Sequence, residues 1–260
     1  MGSGAQTGQR RHQTRPSRVP LLQRPGAICV VSGDRTSYPQ FTACVATLVP
    51  TEQTKLIWET AGGGALAVVR NSVIQAALDF FDGRPGWTLL VDDDHVFKND
   101  MLLRLLRHDK DLMMPTVMMR KPPHRLVGFP LFDVPSNATD VELVDLARGD
   151  EEPLVIAPGQ SGLVEIGSGG TGCLLVSTEV YEAMGAAWFE FGRFGAEEAG
   201  EDTWFFLKAR RLGFRVYMDL DTPIGHLTTA NVWPERDEQG RIVARIITGV
   251  DERREVTTGG

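Results

Sequence analysis

The chain has 260 residues, 42% of them apolar and 23% charged, enough to bury a sizeable core as one large α/β domain or two small ones. Its formal net charge of −7 does not point to a nucleic-acid partner. No apolar run approaches the roughly 20 residues that span a bilayer.

Residues 1–25 hold Gly, Gln, Arg and Pro with almost no apolar periodicity, and read as a disordered basic tail. Their Arg-rich segment precedes only a short apolar stretch, which does not make a signal peptide. The folded domain is expected over 26–230. Ala27–Val31 is a compact apolar run ending at Ser32-Gly33-Asp34, as a buried parallel strand entering a loop would be. Phe41, Cys44, Val45 and Leu48 mark one face of a helix; Leu66, Val69, Val73 and Phe80 mark another after the glycine-rich turn at 62–64. Trp87–Val91 is a strand that runs straight into Asp92-Asp93-Asp94. Met101–Leu106 reads as a short helix and Leu112–Met119 as a strand. Residues 120–170 are irregular and rich in Pro, Gly and Asp, a pattern of functional or mobile segments. Gly172–Val176 is a strand, and Ser177 is placed to cap a helix through Met184. Glu201–Leu212 forms a helix closed by Gly213, and Phe214, Val216 and Met218 alternate as a strand. Residues 231–260 are a polar, weakly patterned extension that could end in an ordered hairpin or an arm.

Strands alternating with helices predict an α/β fold: a mixed, mostly parallel sheet with helices on both faces. Ligands of such sheets bind beyond the carboxyl ends of the strands. The three cysteines, Cys29, Cys44 and Cys173, are scattered and odd in number, which fits free thiols in a reducing, cytoplasmic compartment.

Three groups of residues carry chemistry. Asp92, Asp93 and Asp94 end an apolar strand, where adjacent carboxylates repel unless something compensates them. Their oxygens suit a hard cation such as Mg²⁺ or Mn²⁺, and in extended backbone Asp92 and Asp94 would point the same way. An exposed acidic turn or a helix-capping run explains the same residues equally well. Glu201 and Asp202 open a helix, where the dipole alone favours them; an oriented carboxylate there also suits a general base. His226 follows a strand and gains weight only from its company. Lys121-Pro122-Pro123-His124-Arg125 could meet a diphosphate or an anionic acceptor, though a solvated loop is the simpler reading.

In this order the pieces resemble family 2-like glycosyltransferases of the GT-A fold, nearest to small glycosyltransferase-like proteins of phages and bacteria. The resemblance runs from about Ala27 to Leu227. It rests on the Ser32 loop, Val69-Arg70-Asn71, the aspartate run, Gly170-Thr171-Gly172, Trp188-Phe189, Gly200-Glu201-Asp202, and Asp219 with Gly225-His226. It implies an enzyme moving a sugar from a nucleoside-diphosphate sugar to an acceptor hydroxyl, with inversion. Ser32, Gly33, Asp34 and Arg35 would hold base and ribose, and Arg70, supported by Asn71, would reach the nucleotide. Asp92 and Asp94, with His226, would bind Mn²⁺ or Mg²⁺, and Asp92 and Asp93 would touch the donor. Gly170 and Gly172 would let backbone approach the sugar, with Trp188 and Phe189 as a stacking surface or as core. Asp202 would be the catalytic base, with Glu201 beside donor or acceptor. A nucleotidyltransferase, or a non-catalytic nucleotide- or carbohydrate-binding module, are the alternatives. The acceptor stays open among glycan, protein and modified DNA base.

Overall fold

The computed structural model describes residues 18–32, 38–51, 54–60, 65–120, 122, 124–148, 154–185, 187–194, 197–228, 231–248 and 251–255. In chain order the elements are β1 (Gly26–Ser32), α1 (Pro39–Thr47), β2 (Thr54–Thr60), α2 (Leu66–Phe80), β3 (Trp87–Asp92), β4 (His95–Val96), α3 (Met101–Arg107), β5 (Leu112–Thr116) and β6 (Gly128–Phe129). There follow α4 (Asp140–Arg148), β7 (Leu163–Ile166), β8 (Ser168–Gly169), β9 (Cys173–Ser177), α5 (Thr178–Met184), β10 (Gly192–Phe194), β11 (Glu197–Ala199) and α6 (Glu201–Arg211). The chain closes with β12 (Val216–Pro223), β13 (Gly225–Leu227), β14 (Asn231–Arg236), β15 (Ile242–Thr248) and β16 (Asp251–Glu255).

A seven-stranded sheet in the order β2-β1-β3-β9-β5-β12-β7 forms the centre. Strands β2, β1, β3, β5 and β12 run one way, and β9 and β7 run against them. The sheet is therefore mixed and mostly parallel, as the alternation of strands and helices predicts. Every residue of β1 and β9 is buried, which explains their unbroken apolar sequences. Helix α2 lies on β1 and β2, α3 on β5 and β12, and α5 beside β9 and α6. Trp87, Tyr181, Phe41, Phe189, Phe205 and Phe206 are the largest fully buried side chains.

A second sheet, β16-β15-β14-β13-β4, is antiparallel throughout. It shares two junctions with the first. Only the turn at Asp93 and Asp94 separates β3 from β4, and only Ile224 separates β12 from β13. The acidic run and the Gly225-His226 pair therefore sit at one seam between two sheets. Gly225 is required there: a Cβ would lie 2.5 Å from the Trp233 ring and 2.7 Å from Val96. Residues 231–255, expected as a polar extension, supply three strands of this second sheet.

Three other segments differ from the sequence reading. Residues 18–25, expected in the tail, are docked: Leu21 is fully buried, Arg18 pairs with Asp111 at 2.5 Å and Arg24 with Glu179 at 2.7 Å. Within the irregular stretch lies α4, opened by a capping box in which the Thr139 amide donates to Glu142 (2.7 Å) and the Glu142 amide to Thr139 Oγ1 (3.3 Å). Ser177 does precede α5, but its hydroxyl donates to Asp111 (2.9 Å) rather than capping the helix. The first 17 residues lie outside the described ones. Among the described residues no helix is long and apolar enough to cross a membrane.

Candidate active site at the seam of the two sheets

The aspartates do not stay extended, so Asp92 and Asp94 do not form a same-side clamp. The chain turns at Asp93, and each carboxylate finds a different partner. Asp92, anchored by its amide donating to the Gly172 carbonyl (2.7 Å), faces Arg70 Nη2 at 3.0 Å. Asp93 accepts the Ser32 hydroxyl in a short hydrogen bond, tying the end of β1 to the turn. Asp94 turns the other way, towards the second sheet, where its carbonyl accepts the Leu227 amide (2.6 Å). Gly33, Asp34 and Arg35 lie outside the described residues.

Antiparallel pairing of β4 with β13 sets His95 directly opposite His226. Cross-strand neighbours share a face, and the two imidazoles stack with centroids 4.6 Å apart and planes 20° apart. Both rings meet Asp94: His226 Nε2 lies 3.2 Å from Oδ2 and His95 Nδ1 lies 3.2 Å from Oδ1. Arg120 Nη1 donates to Oδ2 as well, at 2.9 Å. Burial favours a protonated Asp94, yet His226 and His95 beside it prevail and hold its carboxyl well below the usual range. His95 is the counterpart: burial lowers its pKa, but Asp94 and then Asp92 outweigh that and raise it.

Asp94, His95 and His226 offer three ligand atoms within 4.8 Å of one another. Two details fit a cation there. Asp94 Oδ1 is buried and, although His95 Nδ1 lies 3.2 Å away, makes no hydrogen bond of good geometry among the described residues. His226 Nδ1 lies 3.1 Å from the Met118 carbonyl; donating there, it turns the Nε2 lone pair towards Asp94 Oδ2. Two lone pairs facing each other need a proton or a metal ion between them.

Arg70, on α2, is 3% exposed, and its guanidinium bridges Asp92 to Glu201 Oε1 at 2.7 Å. It thus joins the end of β3 to the first turn of α6 instead of reaching outward to a nucleotide. Asn71 is likewise committed: its amide accepts from and donates to the Phe189 backbone (2.9 and 2.7 Å). Trp188 and Phe189 are core residues, not a sugar platform, since Phe189 stacks on Phe205 at 4.5 Å and both are buried. Asp202 follows Glu201, and its Oδ1 accepts the Thr203 amide (2.8 Å). Burial first, and the Glu201 charge second, raise its pKa from the ordinary aspartate value. Gly172 leaves space for the site: a Cβ would stand 2.8 Å from His95 Cε1 and 3.1 Å from Asp92 Oδ2. Gly170 is packed under Val127, 2.7 Å from where its Cβ would be.

His95 and Arg120 are members of the cluster that the sequence reading does not select. His95 adjoins the acidic run, so proximity in sequence was its available signal. Arg120 precedes the basic stretch at 121–125, but nothing local connects it with Asp94.

The mostly parallel central sheet with its packed helices matches a GT-A, Rossmann-like fold. Two examples stand among the solved structures similar to this chain. One is A197 from STIV, with a TM-score of 0.51 and 13% identity over 86% of this chain and 94% of that one. The other is GalNAc-T7 with UDP, GalNAc and Mn²⁺, with a TM-score of 0.50 and 10% identity over 79% of this chain and 44% of that one. This chain therefore spans under half the length of GalNAc-T7. At these identities the likeness is one of fold. No protein-family profile matches the sequence, and no curated protein sequence matches it.

Proposed function

We propose that this chain is a metal-dependent glycosyltransferase that moves a sugar from a nucleoside-diphosphate sugar to an acceptor hydroxyl with inversion. The observation that carries this reading is the convergence of Asp94, His95 and His226 at the seam, with three ligand atoms within 4.8 Å of one another, in a GT-A fold. These three residues would hold the ion, and two imidazoles in the donor set favour Mn²⁺ over the all-oxygen preference of Mg²⁺. When bound, it supplies Lewis-acid neutralisation of the departing diphosphate. The order of motifs along the chain supports a place among the family 2-like enzymes. The free cysteines, two of them buried, support a reducing compartment, the cytoplasm.

The remaining roles belong to side chains. Asp202 accepts the proton of the acceptor hydroxyl as its oxygen attacks the anomeric carbon opposite the diphosphate. A raised pKa brings the carboxylate nearer the strength a general base needs. Arg70 positions rather than reacts, holding Asp92 and Glu201 so that Asp202 is presented from a fixed first turn. The Ser32–Asp93 bond ties the end of β1 to the acidic turn, and Gly33, Asp34 and Arg35, next in sequence, would take base and ribose. UDP-sugars are the first donors to test, because the GalNAc-T7 structure contains UDP.

The test is release of nucleoside diphosphate from UDP-, GDP-, CDP- and dTDP-sugars with Mn²⁺, for the wild type and Asp202→Asn. Turnover of one donor in the wild type alone supports transfer. Metal-dependent binding without turnover in either protein makes the chain a binding module. Pyrophosphate release from a nucleoside triphosphate and a sugar phosphate makes it a nucleotidyltransferase.

A further inference from the structure

A permanently cationic side chain, Arg120, also reaches Asp94. Beyond β5, residues 117–119 and 125–127 pair as the two arms of a hairpin, through the Met118–Leu126 bridge, the Met119 amide donating to Arg125 (2.8 Å) and the Val127 amide donating to Val117 (2.9 Å). The same hairpin supplies the Met118 carbonyl that receives His226 Nδ1 (3.1 Å), so its base is tied to the seam. Arg120 follows its outgoing arm. Its side chain is 47% exposed, and its hydrogen bond to Asp94 Oδ2 is the single one it makes among the described residues. A guanidinium has five donors, so four remain for another partner. Arg70 is the contrast: 4% exposed and bound to two carboxylates, it has no freedom to turn.

Arg120 and His226 Nε2 compete for one oxygen, Asp94 Oδ2, at 2.9 and 3.2 Å. A divalent ion between Asp94 and His226 would meet the guanidinium at that oxygen, and like charges at such a distance repel. A diphosphate removes the conflict, because its oxygens accept a guanidinium bidentately and satisfy the ion as well.

We propose that Arg120 is a displaceable counter-cation of Asp94 that transfers to the diphosphate of the donor when metal and nucleotide bind. The inference rests on the metal-site reading above and extends it to a residue outside the ligand set. It makes Arg120 an opponent of metal binding in the empty protein and a partner of the diphosphate in the loaded one. Removing it therefore moves two affinities in opposite directions, which a merely structural arginine would not do.

The test uses the full chain, MnCl₂ and inorganic pyrophosphate, which carries the diphosphate whichever nucleotide the enzyme takes. Mn²⁺ binding is read by electron paramagnetic resonance, and pyrophosphate binding by calorimetry in saturating Mn²⁺. Arg120→Gln is expected to bind Mn²⁺ alone about threefold more tightly, the scale of a half-exposed ion pair. It should bind pyrophosphate about tenfold more weakly, the scale of a charge-assisted contact. Arg120→Lys keeps the charge without the fork, so it should hold near wild-type Mn²⁺ affinity and recover part of the pyrophosphate affinity. Unchanged affinities in Arg120→Gln, or two shifts in the same direction, overturn the proposal. A wild type that binds no Mn²⁺ overturns the metal-site reading itself, and this inference with it.

Discussion

Replacing Arg70 by methionine removes the guanidinium that Asp92 and Glu201 share at 3.0 and 2.7 Å. Methionine keeps an unbranched stem of similar reach near the Phe189 ring, whose centroid lies 5.8 Å from the guanidinium carbon, so the loss is chiefly electrostatic. Removing one partner of a buried ion pair costs about 3–5 kcal/mol. Arg70 is 4% exposed but its partners keep 22% and 16% of their side-chain surface, so the low end, about 3 kcal/mol, applies. For a chain of this size that corresponds to a fall in Tm of about 6–12 °C. The deficit also depends on pH. Burial already raises the Asp92 pKa in the folded state against the pull of Arg70, and without Arg70 it rises further. A carboxyl with a folded pKa above its unfolded one contributes stability that is complete below the unfolded pKa and lost as pH rises through the folded one. The deficit is thus largest near neutral pH and shrinks on acidification. Thermal and urea unfolding of both proteins at about pH 7.5 and about pH 5 measure it. An equal deficit at the two pH values, or one below about 1 kcal/mol, refutes the bridge as a charged structural element. Asp92→Asn in the Arg70→Met background should recover part of the loss.

Two further substitutions separate chemistry from scaffolding. Asp202→Asn should lower transfer by roughly 10²–10⁴-fold. Because the folded pKa of Asp202 is raised, its stabilising contribution is present below the unfolded pKa and lost as pH rises, so the neutral amide should raise Tm near neutral pH. A lowered Tm with full activity would contradict both roles. Gly172→Ala places a methyl 2.8 Å from a ring atom of His95, itself buried and stacked on His226, so one imidazole must shift. The expected results are a loss of about 1–3 kcal/mol in stability and weaker Mn²⁺ binding by paramagnetic resonance; unaltered metal affinity would show that His95 is not a ligand.

What was legible in the sequence was what periodicity and strand ends express. The aspartates at the end of β3, the acidic first turn of α6 and the Gly225-His226 pair all follow or open regular elements, and their positions at the strand ends agree with the fold. The directions of the side chains were not legible. Whether Asp94 points with Asp92 depends on a turn at Asp93 that no local pattern announces. His95 meets His226 only through pairing of β4 with β13, far apart in the chain. Arg70 looks like a ligand-facing residue on a helix until Asp92 and Glu201 are seen closing on it from two other elements. Helix α4 is a different case. Thr139 and Glu142 carry its capping box in plain sequence, but the Pro- and Asp-rich surroundings mask it.

A metal-dependent donor site at the seam is tested most directly by titration calorimetry with UDP, GDP, CDP and dTDP, with and without Mn²⁺. One of these is expected to bind only when Mn²⁺ is present, and Asp94→Asn, which keeps the shape and removes the charge, to abolish that binding. No binding under either condition, or binding indifferent to both Mn²⁺ and Asp94→Asn, would contradict it.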